Sequence, residues 1–215
     1  MDVFILNQQN SIANQFLLEL RDHAIQQDRL RFRKNMERLG EIMAYEVSKR
    51  MAYRSVQVQT PLANTTIPVL SSSPVIITVL RAGLTYFQGF INYFDRADCG
   101  FIGAYRKEGE NEITINLEYL ATGDLTNREV MIVDPMLATG NSFVRSINAL
   151  MSHGRPSHLH LISLVAAPEG VDHLKKSISL PTTVYTVAMD EKLNEQFYIV
   201  PGLGDAGDLS FGEKI

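Results

Sequence analysis

Several features that would define other protein classes are scarce in this sequence. It has one cysteine, Cys99, and no tryptophan among 215 residues. A single cysteine excludes an internal disulfide and a metal cluster held by several cysteines, and it fits a reducing cytoplasm. No apolar run is long enough to cross a bilayer, and the N-terminus lacks the basic and small-residue signals of a secretory leader. We therefore expect a cytoplasmic protein without disulfides or membrane association.

The chain also lacks an excess of positive charge. Its formal net charge is −4, from 20 basic and 24 acidic residues, which argues against a general nucleic-acid binder. Basic residues do crowd one predicted helix, where they form either a patch for nucleic acid or phosphate or a solvated face paired with nearby glutamates. These residues are Arg29, Arg31, Arg33, Lys34 and Arg38. The five histidines show no metal-ligand spacing.

The hydrophobic pattern alternates between buried strands and amphipathic helices, and it predicts one α/β domain over residues 1–215. Two helices come first in the chain, one over 12–25 that Asn10-Ser11 can cap and a longer one that Asp28 can cap. Strands are predicted over 75–80, 100–104, 130–133, 158–166 and 183–188, with helices over 84–94, 143–151 and 168–177. The expected architecture is a mostly parallel sheet flanked by helices. Alternation over 113–120 predicts a β-hairpin arm that covers a site or embraces a partner subunit, whereas 55–73 suggests a short strand and surface loops.

Residues 130–142 carry most of the functional information. A buried strand ends at Asp134-Pro135, a loop of small residues follows, and a helix begins behind it. This arrangement directs backbone N–H groups and a helix N-terminus at one anion. Asp134, at the carboxyl end of the strand, suits ribose hydroxyls or a divalent cation shared with a phosphorylated ligand. The alternative is an ordinary βα turn in which Asp134 and Ser142 serve only as caps.

Two other strand ends carry basic residues. Arg81 follows the strand over 75–80, and Arg106-Lys107 follows the strand over 100–104. Together with Asp134 they indicate a polyanion held with a divalent cation. Taken alone, Arg81 could equally cap a βα turn.

The tail contains Gly202-Leu203-Gly204-Asp205-Ala206-Gly207, which satisfies the G-x-G-x-x-G pattern. A dinucleotide fingerprint requires an acidic residue about 20 positions later, and this chain does not supply one. The remaining interpretations are a plain glycine-rich loop or a backbone surface that can hydrogen-bond the edge of a small planar ligand.

The block Val133–Gly140 resembles the phosphoribosyl-diphosphate (PRPP) loop of phosphoribosyltransferases, in the form seen in the uracil phosphoribosyltransferase family. Further blocks resemble that family in the same order along the chain. They are Leu80–Leu84, Gly103–Arg106, Leu164–Val171, Asp190–Glu195 and Tyr198–Asp208. The similarity extends from the second helix nearly to Ile215, and the tail block is its most specific part.

The resemblance implies the reaction uracil + PRPP → UMP + diphosphate, with Mg²⁺ as cofactor, and a C-terminal hood over the base. Arg106, Asp134 and Asp205 would be the catalytic residues, and Asp205 would meet the metal indirectly through PRPP. The implied PRPP-binding residues are Arg81, Arg106, Asp134, Pro135, Met136, Leu137, Ala138, Thr139, Gly140, Asn141, Ser142 and Asp205. The implied uracil-binding residues are Tyr198, Ile199, Gly204, Asp205 and Ala206, largely through backbone groups.

Three positions depart from the family pattern: Asn141 replaces a second glycine, Lys107 an acid, and Leu209 the usual arginine. Because asparagine tolerates a left-handed conformation, we expect the loop to survive. The resemblance implies a homodimer or higher homo-oligomer and leaves GTP activation open. An RNA-binding regulator that keeps residual transferase activity is the alternative function, but it needs a basic face that the composition does not favour.

Overall fold

Most of the backbone pairing lies in one large sheet of the computed structural model, which describes residues 1–107 and 114–213, and only the backbone of 104–107 and 114–118. The strands are β1 (Asp2–Ile5), β2 (Tyr53–Gln59), β3 (Asn64–Leu70), β4 (Val75–Leu80), β5 (Asp98–Lys107), β6 (Thr114–Ala121), β7 (Glu129–Val133), β8 (Met136–Leu137), β9 (His158–Ala166), β10 (Thr182–Met189), β11 (Lys192–Leu193) and β12 (Ile199–Val200). The large sheet has the order β1-β10-β9-β7-β4-β5-β6, and β8 also pairs with β9.

Within the described residues, every pairing in this sheet is parallel except that of β5 with β6. The central strands are buried on both faces, which is why they read as nearly continuous apolar runs rather than as alternating ones. Ile77 of β4, for example, lies opposite Gly100 of β5 and Ile132 of β7. The predicted mostly parallel sheet is confirmed.

Helices cover both faces of the sheet. They are α1 (Ile12–Arg21), α2 (Arg29–Ser48), α3 (Gly83–Tyr93), α4 (Asn141–Leu150), α5 (Pro168–Ser177) and α6 (Ala206–Phe211). The side chains of α1, α2 and α3 pack into one apolar core, and those of α4 and α5 into a second core on the opposite face. None of the helices in the described ranges is both long enough and apolar enough to span a membrane.

The predicted N-caps of the first two helices are confirmed. The Ser11 side chain accepts a hydrogen bond from the Ala13 N–H (3.3 Å), and Asp28 accepts one from the Arg31 N–H (3.1 Å). Both contacts satisfy donors that a helix start leaves without intrahelical partners. The first helix is shorter than predicted and ends at Arg21, where Asp22 instead accepts from the Ala24 N–H (2.9 Å). That early end places Arg21 at the tip of α1.

One of the two hairpins agrees with the sequence prediction and the other does not. Residues 114–121 form strand β6, which pairs antiparallel with β5; the pairs from Ala104 to Lys107 extend beyond the part of β5 that pairs with β4, and residues 108–113 lie outside the described ranges. The hairpin that stands apart is β2–β3, where only a short strand and loops were expected. Alternation of apolar and polar residues identifies a strand but not the strand that it pairs with, because any apolar surface can cover its buried face.

Candidate functional site

One edge of the sheet gathers the strand ends that sequence analysis singled out. Arg81 follows β4, Asp134 follows β7, and Asp190 follows β10. Thr78 of β4 pairs with Val133 of β7 in a parallel register, so the two strands end side by side. In open α/β sheets, ligands bind outside this carboxyl edge.

Asp134 is a buried carboxylate at the centre of that edge. Its side chain accepts hydrogen bonds from Ser142 Oγ (3.1 Å) and from the Met136 N–H (3.3 Å), and its residue exposure is 8%. Burial raises the pKa of Asp134 to about 6, while the two hydrogen bonds act in the opposite direction. Desolvation dominates because the charged form loses water that two neutral donors do not replace. A further donor, such as a ligand hydroxyl, would favour the ionised form.

The segment after Asp134 is anchored to β9 through its main chain. The Pro135 carbonyl accepts from the N–H groups of Leu164 (3.0 Å) and Val165 (3.1 Å), and Met136–Leu137 form the short strand β8. Leu137 is 1% exposed and belongs to the core. The predicted small-residue loop, 138–142, follows β8 directly and is shorter than expected, because α4 already begins at Asn141. The Leu137 side chain packs in the core under the site, so a ligand would contact the residues after Leu137.

Gly140 joins this loop to α4 in a left-handed conformation, with φ of 80°. A Cβ built on Gly140 would lie 2.9 Å from the carbonyl oxygen of Gly170 in α5. The left-handed backbone and this close approach therefore both make a larger side chain costly. The helix begins at the next residue, Asn141, whose N–H donates to Thr139 Oγ1 (3.4 Å). The predicted strand, small-residue loop and helix N-terminus are thus brought together beside Asp134.

Arg81 is tied to the C-terminal tail. Its guanidinium donates from Nη2 to Asp208 Oδ1 (3.0 Å) and to the Gly212 carbonyl (3.2 Å). The peptide bond before Arg81 is cis. Two residues later Gly83 starts α3 against the sheet: a Cβ there would lie 2.8 Å from the Val133 carbonyl oxygen. Arg81 therefore links the β4 end of the sheet edge to the tail.

Arg106 lies on β5, in register with Ile115 of β6. Gly103 is the last residue of β5 that pairs with β4, so the strand carries Arg106 beyond the parallel part of the sheet. Strand β5 is longer than predicted because β6 continues to pair with it. The side chains of Arg106 and Lys107 lie outside the described part of the chain, and the role of Arg106 stays a prediction.

The tail approaches the same edge with its main chain. Strands β11 and β12 pair Leu193 with Ile199, and the Asn194 N–H donates to the Tyr198 carbonyl (2.9 Å) next to that pair. This bond marks Leu193–Ile199 as a non-hydrogen-bonded pair, so the N–H and C=O groups of Ile199 point away from β11. The Ile199 side chain is 5% exposed and packs in the core. A ligand can therefore meet Ile199 only through its backbone.

Tyr198 differs from Ile199. Its N–H donates to Asn194 Oδ1 (2.8 Å) and its carbonyl accepts from the Asn194 N–H (2.9 Å), so the loop uses both backbone groups. Its side chain is 48% exposed. Any contact from Tyr198 to a ligand would come from the ring.

Gly204, Asp205 and Ala206 form the turn that opens α6. Gly204 has φ of 92°, and its N–H makes no hydrogen bond within the described ranges. Asp205 caps the helix: Oδ1 accepts from the N–H groups of Gly207 (2.8 Å) and Asp208 (3.0 Å). The predicted glycine-rich loop is thus partly a short helix, and Asp205 stabilises the start of that helix in addition to any catalytic role.

Sequence reasoning missed a second set of residues at this edge. Arg21 and Asp190 form a two-armed ion pair that also contacts Gly202, and Gln26 donates to the Leu203 carbonyl (3.4 Å). These contacts join residues about 170 positions apart or more, and no local pattern marks them. The only available signal was Arg21 at the end of an amphipathic helix.

Comparison with known proteins identifies the family. The family model described as uracil phosphoribosyltransferase matches residues 7–213, which include the loop and the tail. The chain belongs to this family. The uracil phosphoribosyltransferase of Porphyromonas gingivalis is 45% identical over 216 residues, covering 100% of both chains. That of Limosilactobacillus fermentum is 45% identical over 187 residues, covering 85% of this chain and 87% of the relative. The predicted enzyme class is confirmed.

A solved structure shares the fold of this uracil phosphoribosyltransferase family member. The structure of the AQ2163 protein from Aquifex aeolicus superposes with a TM-score of 0.86 at 27% identity and covers 98% of both chains. The agreement extends over the hood as well as the sheet, because nearly the whole chain is covered.

Phosphoribosyltransferases generally use Mg²⁺ together with PRPP, and the donor set of this family member fits that use. No group of three or more His, Cys, Asp or Glu residues in the described ranges could hold a metal ion by itself. Two of the carboxylates at this edge, Asp134 and Asp205, lie on separate segments. Mg²⁺ is commonly bound by one or two carboxylates with waters and substrate phosphates. A cation here would therefore arrive with its diphosphate ligand.

Proposed function

We propose that this protein transfers the 5-phosphoribosyl group of PRPP to N1 of uracil, giving UMP and diphosphate, with the sheet edge as its active site. The observation that carries the proposal is the juxtaposition of two differently built surfaces. A small-residue loop and helix N-terminus lie beside a buried carboxylate, and Ile199 and Gly204 lie in a tail held over the same edge through Arg81 and Asp190. The first suits a sugar phosphate, and the second suits a flat base.

The loop residues 138–142 would hold the 5-phosphate. Its N–H groups and the α4 N-terminus favour an anion, and the hydroxyls of Thr139 and Ser142 lie on the same turn. Asp134 would accept hydrogen bonds from the ribose hydroxyls. Because its pKa is about 6, it is mostly ionised at neutral pH and ready to accept them.

The diphosphate would meet Arg81 and Arg106. As the anomeric carbon gains positive character, negative charge accumulates on the departing diphosphate, and fixed cations placed there lower the barrier. Arg81 already holds Asp208 and the Gly212 carbonyl, so diphosphate binding would share or replace those contacts. When bound, Mg²⁺ would add positive charge to the diphosphate oxygens, with Asp205 meeting it indirectly.

The tail would orient uracil. The outward N–H and C=O of Ile199 and the unused N–H of Gly204 match the alternating donors and acceptors on the edge of a pyrimidine. Asp205 and Ala206 continue that surface, and Tyr198 flanks it with its ring. No side chain is assigned as a general base. Orientation of uracil N1 toward the face opposite the leaving group supplies this part of the catalysis.

The test is diphosphate release with uracil, PRPP and Mg²⁺, each omitted in turn, followed by identification of the nucleotide product. We expect release and UMP only in the complete mixture. A base panel of uracil, orotate, cytosine and purines then defines specificity, and we expect uracil to be strongly preferred. Equal turnover with a purine, or no turnover with uracil, would contradict the proposal.

The alternative of an RNA-binding regulator gains no support from the basic helix. Arg31 pairs with Glu19 (3.1 Å) and Lys34 with Glu37 (2.7 Å), and Arg33 donates to the Ser210 carbonyl (2.9 Å). Cations engaged in this way are less available to phosphates. An RNA-binding assay with salt titration would decide the point, and we expect no specific binding.

We also propose that the protein self-associates. The β2–β3 hairpin stands apart from the large sheet and exposes apolar side chains, with Leu62 at 97% and Ile67 at 45% exposure. Exposed apolar groups on a projecting hairpin are typical of a contact between subunits. Sedimentation velocity should give a dimer or larger species, and substitution of Leu62 and Ile67 by serine should shift it toward monomer.

A further inference from the structure

The end of α1 is clamped to the carboxyl edge of the sheet by one ion pair. Arg21 Nη2 lies 2.6 Å from Asp190 Oδ1, and Arg21 Nη1 lies 3.1 Å from Asp190 Oδ2. The Asp190 N–H donates to the Ala166 carbonyl (2.8 Å), which fixes this residue against the end of β9. The two side chains are 21% and 4% exposed. This is a two-armed, largely desolvated pair rather than a surface contact.

The same pair holds one peptide of the tail from both sides. The Gly202 N–H donates to Asp190 Oδ2 (2.9 Å), and Arg21 Nη1 donates to the Gly202 carbonyl (3.1 Å). Gln26, just beyond α1, donates to the Leu203 carbonyl (3.4 Å). Consecutive carbonyls of the tail are therefore fixed by side chains from the N-terminal helical region, immediately before Gly204 and Asp205.

The Arg21–Asp190 ion pair, called the clamp below, makes contacts beyond those that stability alone requires. A buried ion pair often adds little to folding, because the cost of desolvating two charges offsets their attraction. What it does provide here is a fixed position for the main chain next to the proposed base site. Recognition through backbone groups depends on such pre-organisation, since a backbone shift of about 1 Å can cost a large factor in rate.

We infer that Arg21 and Asp190 are positioning residues for base recognition, which hold the Gly202–Asp205 main chain where it meets the pyrimidine. This inference rests on the proposed function. The hydrogen bonds of the clamp go to residues 166, 190 and 202 and not to the loop 134–142. Loss of the clamp should therefore raise KM for uracil and leave KM for PRPP nearly unchanged.

The experiment compares steady-state kinetics of Arg21→Met and Arg21→Lys with the unmodified chain. For Arg21→Met we expect KM for uracil to rise about 10-fold or more, and KM for PRPP to change less than about 2-fold. Arg21→Lys keeps the charge but not the planar fork, so it should recover part of the loss, with a rise of about 3-fold.

The matched control is Arg31→Met, which removes an ion pair between α2 and α1. Arg31 contacts Glu19 at 3.1 Å, its side chain is 53% exposed, and neither partner bonds to the tail. Both KM values should stay within about 2-fold of the unmodified chain. If Arg21→Met does not fold, as judged by circular dichroism, Gln26→Met provides a second variant. It removes the hydrogen bonds from Gln26 Nε2 to the carbonyls of Leu203 (3.4 Å), Leu20 (3.0 Å) and Arg21 (3.3 Å), and it should raise KM for uracil alone.

The outcomes separate the inference from the function on which it rests. If the unmodified chain forms no UMP, the proposed function fails. If it forms UMP and Arg21→Met raises both KM values equally, or lowers only the unfolding midpoint, the clamp is a structural ion pair and the inference is wrong. A selective rise in KM for uracil that Arg21→Lys partly reverses would support it.

Discussion

The loop around Gly140 and the tail around Gly202 face the same site but are held in different ways. The loop is fixed by neighbouring backbone: Pro135 bonds to β9, β8 extends the sheet, and Gly140 packs on Gly170. The tail is fixed by charged side chains from distant segments, chiefly Arg21, Arg33 and Arg81. A region held by the sheet keeps one shape, whereas a region held by individual side chains can be adjusted one contact at a time. The proposed phosphate site is thus the constant half, and the proposed base site the adjustable one.

Asp134→Asn should produce the largest effect, because Asp134 is the only charged residue in the segment 134–142, which the sheet holds in place. We expect kcat/KM to fall about 10²-fold or more as the hydroxyl-accepting carboxylate is lost. Stability should move the opposite way. The folded pKa of about 6 exceeds the ordinary aspartate pKa of 3.8, so ionisation costs folding free energy. The cost is absent below pH 3.8, grows as the pH rises, and is fully developed above about pH 6.

The measurement for Asp134→Asn is urea unfolding at pH 4.5 and pH 7. The variant should exceed the unmodified chain by on the order of 2–3 kcal/mol at pH 7 and by much less at pH 4.5. Asp172→Asn is the control, because Asp172 makes an exposed ion pair with Lys175 on α5. An equal gain at both pH values would show that the buried charge is not its cause.

Gly140→Ala tests whether the loop is as rigid as its packing implies. The positive φ and the nearby Gly170 carbonyl both oppose a Cβ, so we expect a loss of roughly 1–3 kcal/mol in unfolding free energy. KM for PRPP should rise about 10-fold while KM for uracil changes less. Gly123→Ala is the matched control, since a Cβ at Gly123 would meet no heavy atom within 4 Å. A Gly140→Ala variant as stable as the control would contradict the proposed rigidity.

Asp208→Asn tests an exposed anchor of the tail against the buried clamp. Asp208 and Arg81 are 34% and 39% exposed, so their pair should contribute less than about 1 kcal/mol and should weaken further in salt. We expect KM for uracil to change by less than about 3-fold, well below the change for Arg21→Met. Steady-state kinetics at low and high salt would check this. A larger change than that of Arg21→Met would reverse the ranking of the two anchors.

Phe197→Asn should have the smallest effect and the opposite sign. Phe197 has φ of 61° and is 47% exposed, an unfavourable conformation for a bulky residue with little burial in return. Asparagine tolerates this region, so the variant should gain about 0.5–1 kcal/mol in thermal or urea unfolding. Phe197→Ala keeps the Cβ and the strain, and it should show no such gain. If both variants gain equally, the ring rather than the backbone is the source of the cost.

Sequence reasoning succeeded where local chemistry determines local structure. The caps at Ser11 and Asp28, the strand before Asp134 and the helix after Gly140 follow from residues within a few positions of one another. Each of these signals is a backbone requirement that its neighbours satisfy. The proposed phosphate site could therefore be predicted almost completely, apart from the short strand β8.

Other misses involve pairing between distant segments. Strand β1 pairs with β10 near the other end of the chain, which periodicity cannot specify. In α1, Ala13 is buried and Ile12 is 63% exposed, because packing against α2 selects the buried face of this helix. The clamp of Arg21 on Asp190, 169 positions away, is another case. Nothing in the sequence around residue 21 indicates a partner near the other end of the chain.

The hydrogen bond from Arg21 to Gly202 closes a loop of 181 residues. All the strands of the large sheet except β1 lie inside that span. During synthesis α1 emerges early, but Arg21 cannot bond to Asp190 or Gly202 until the last sheet strand and the segment after it have been made. On the proposed function, the loop for the 5-phosphate can therefore form before the tail that would select the base is fixed in place.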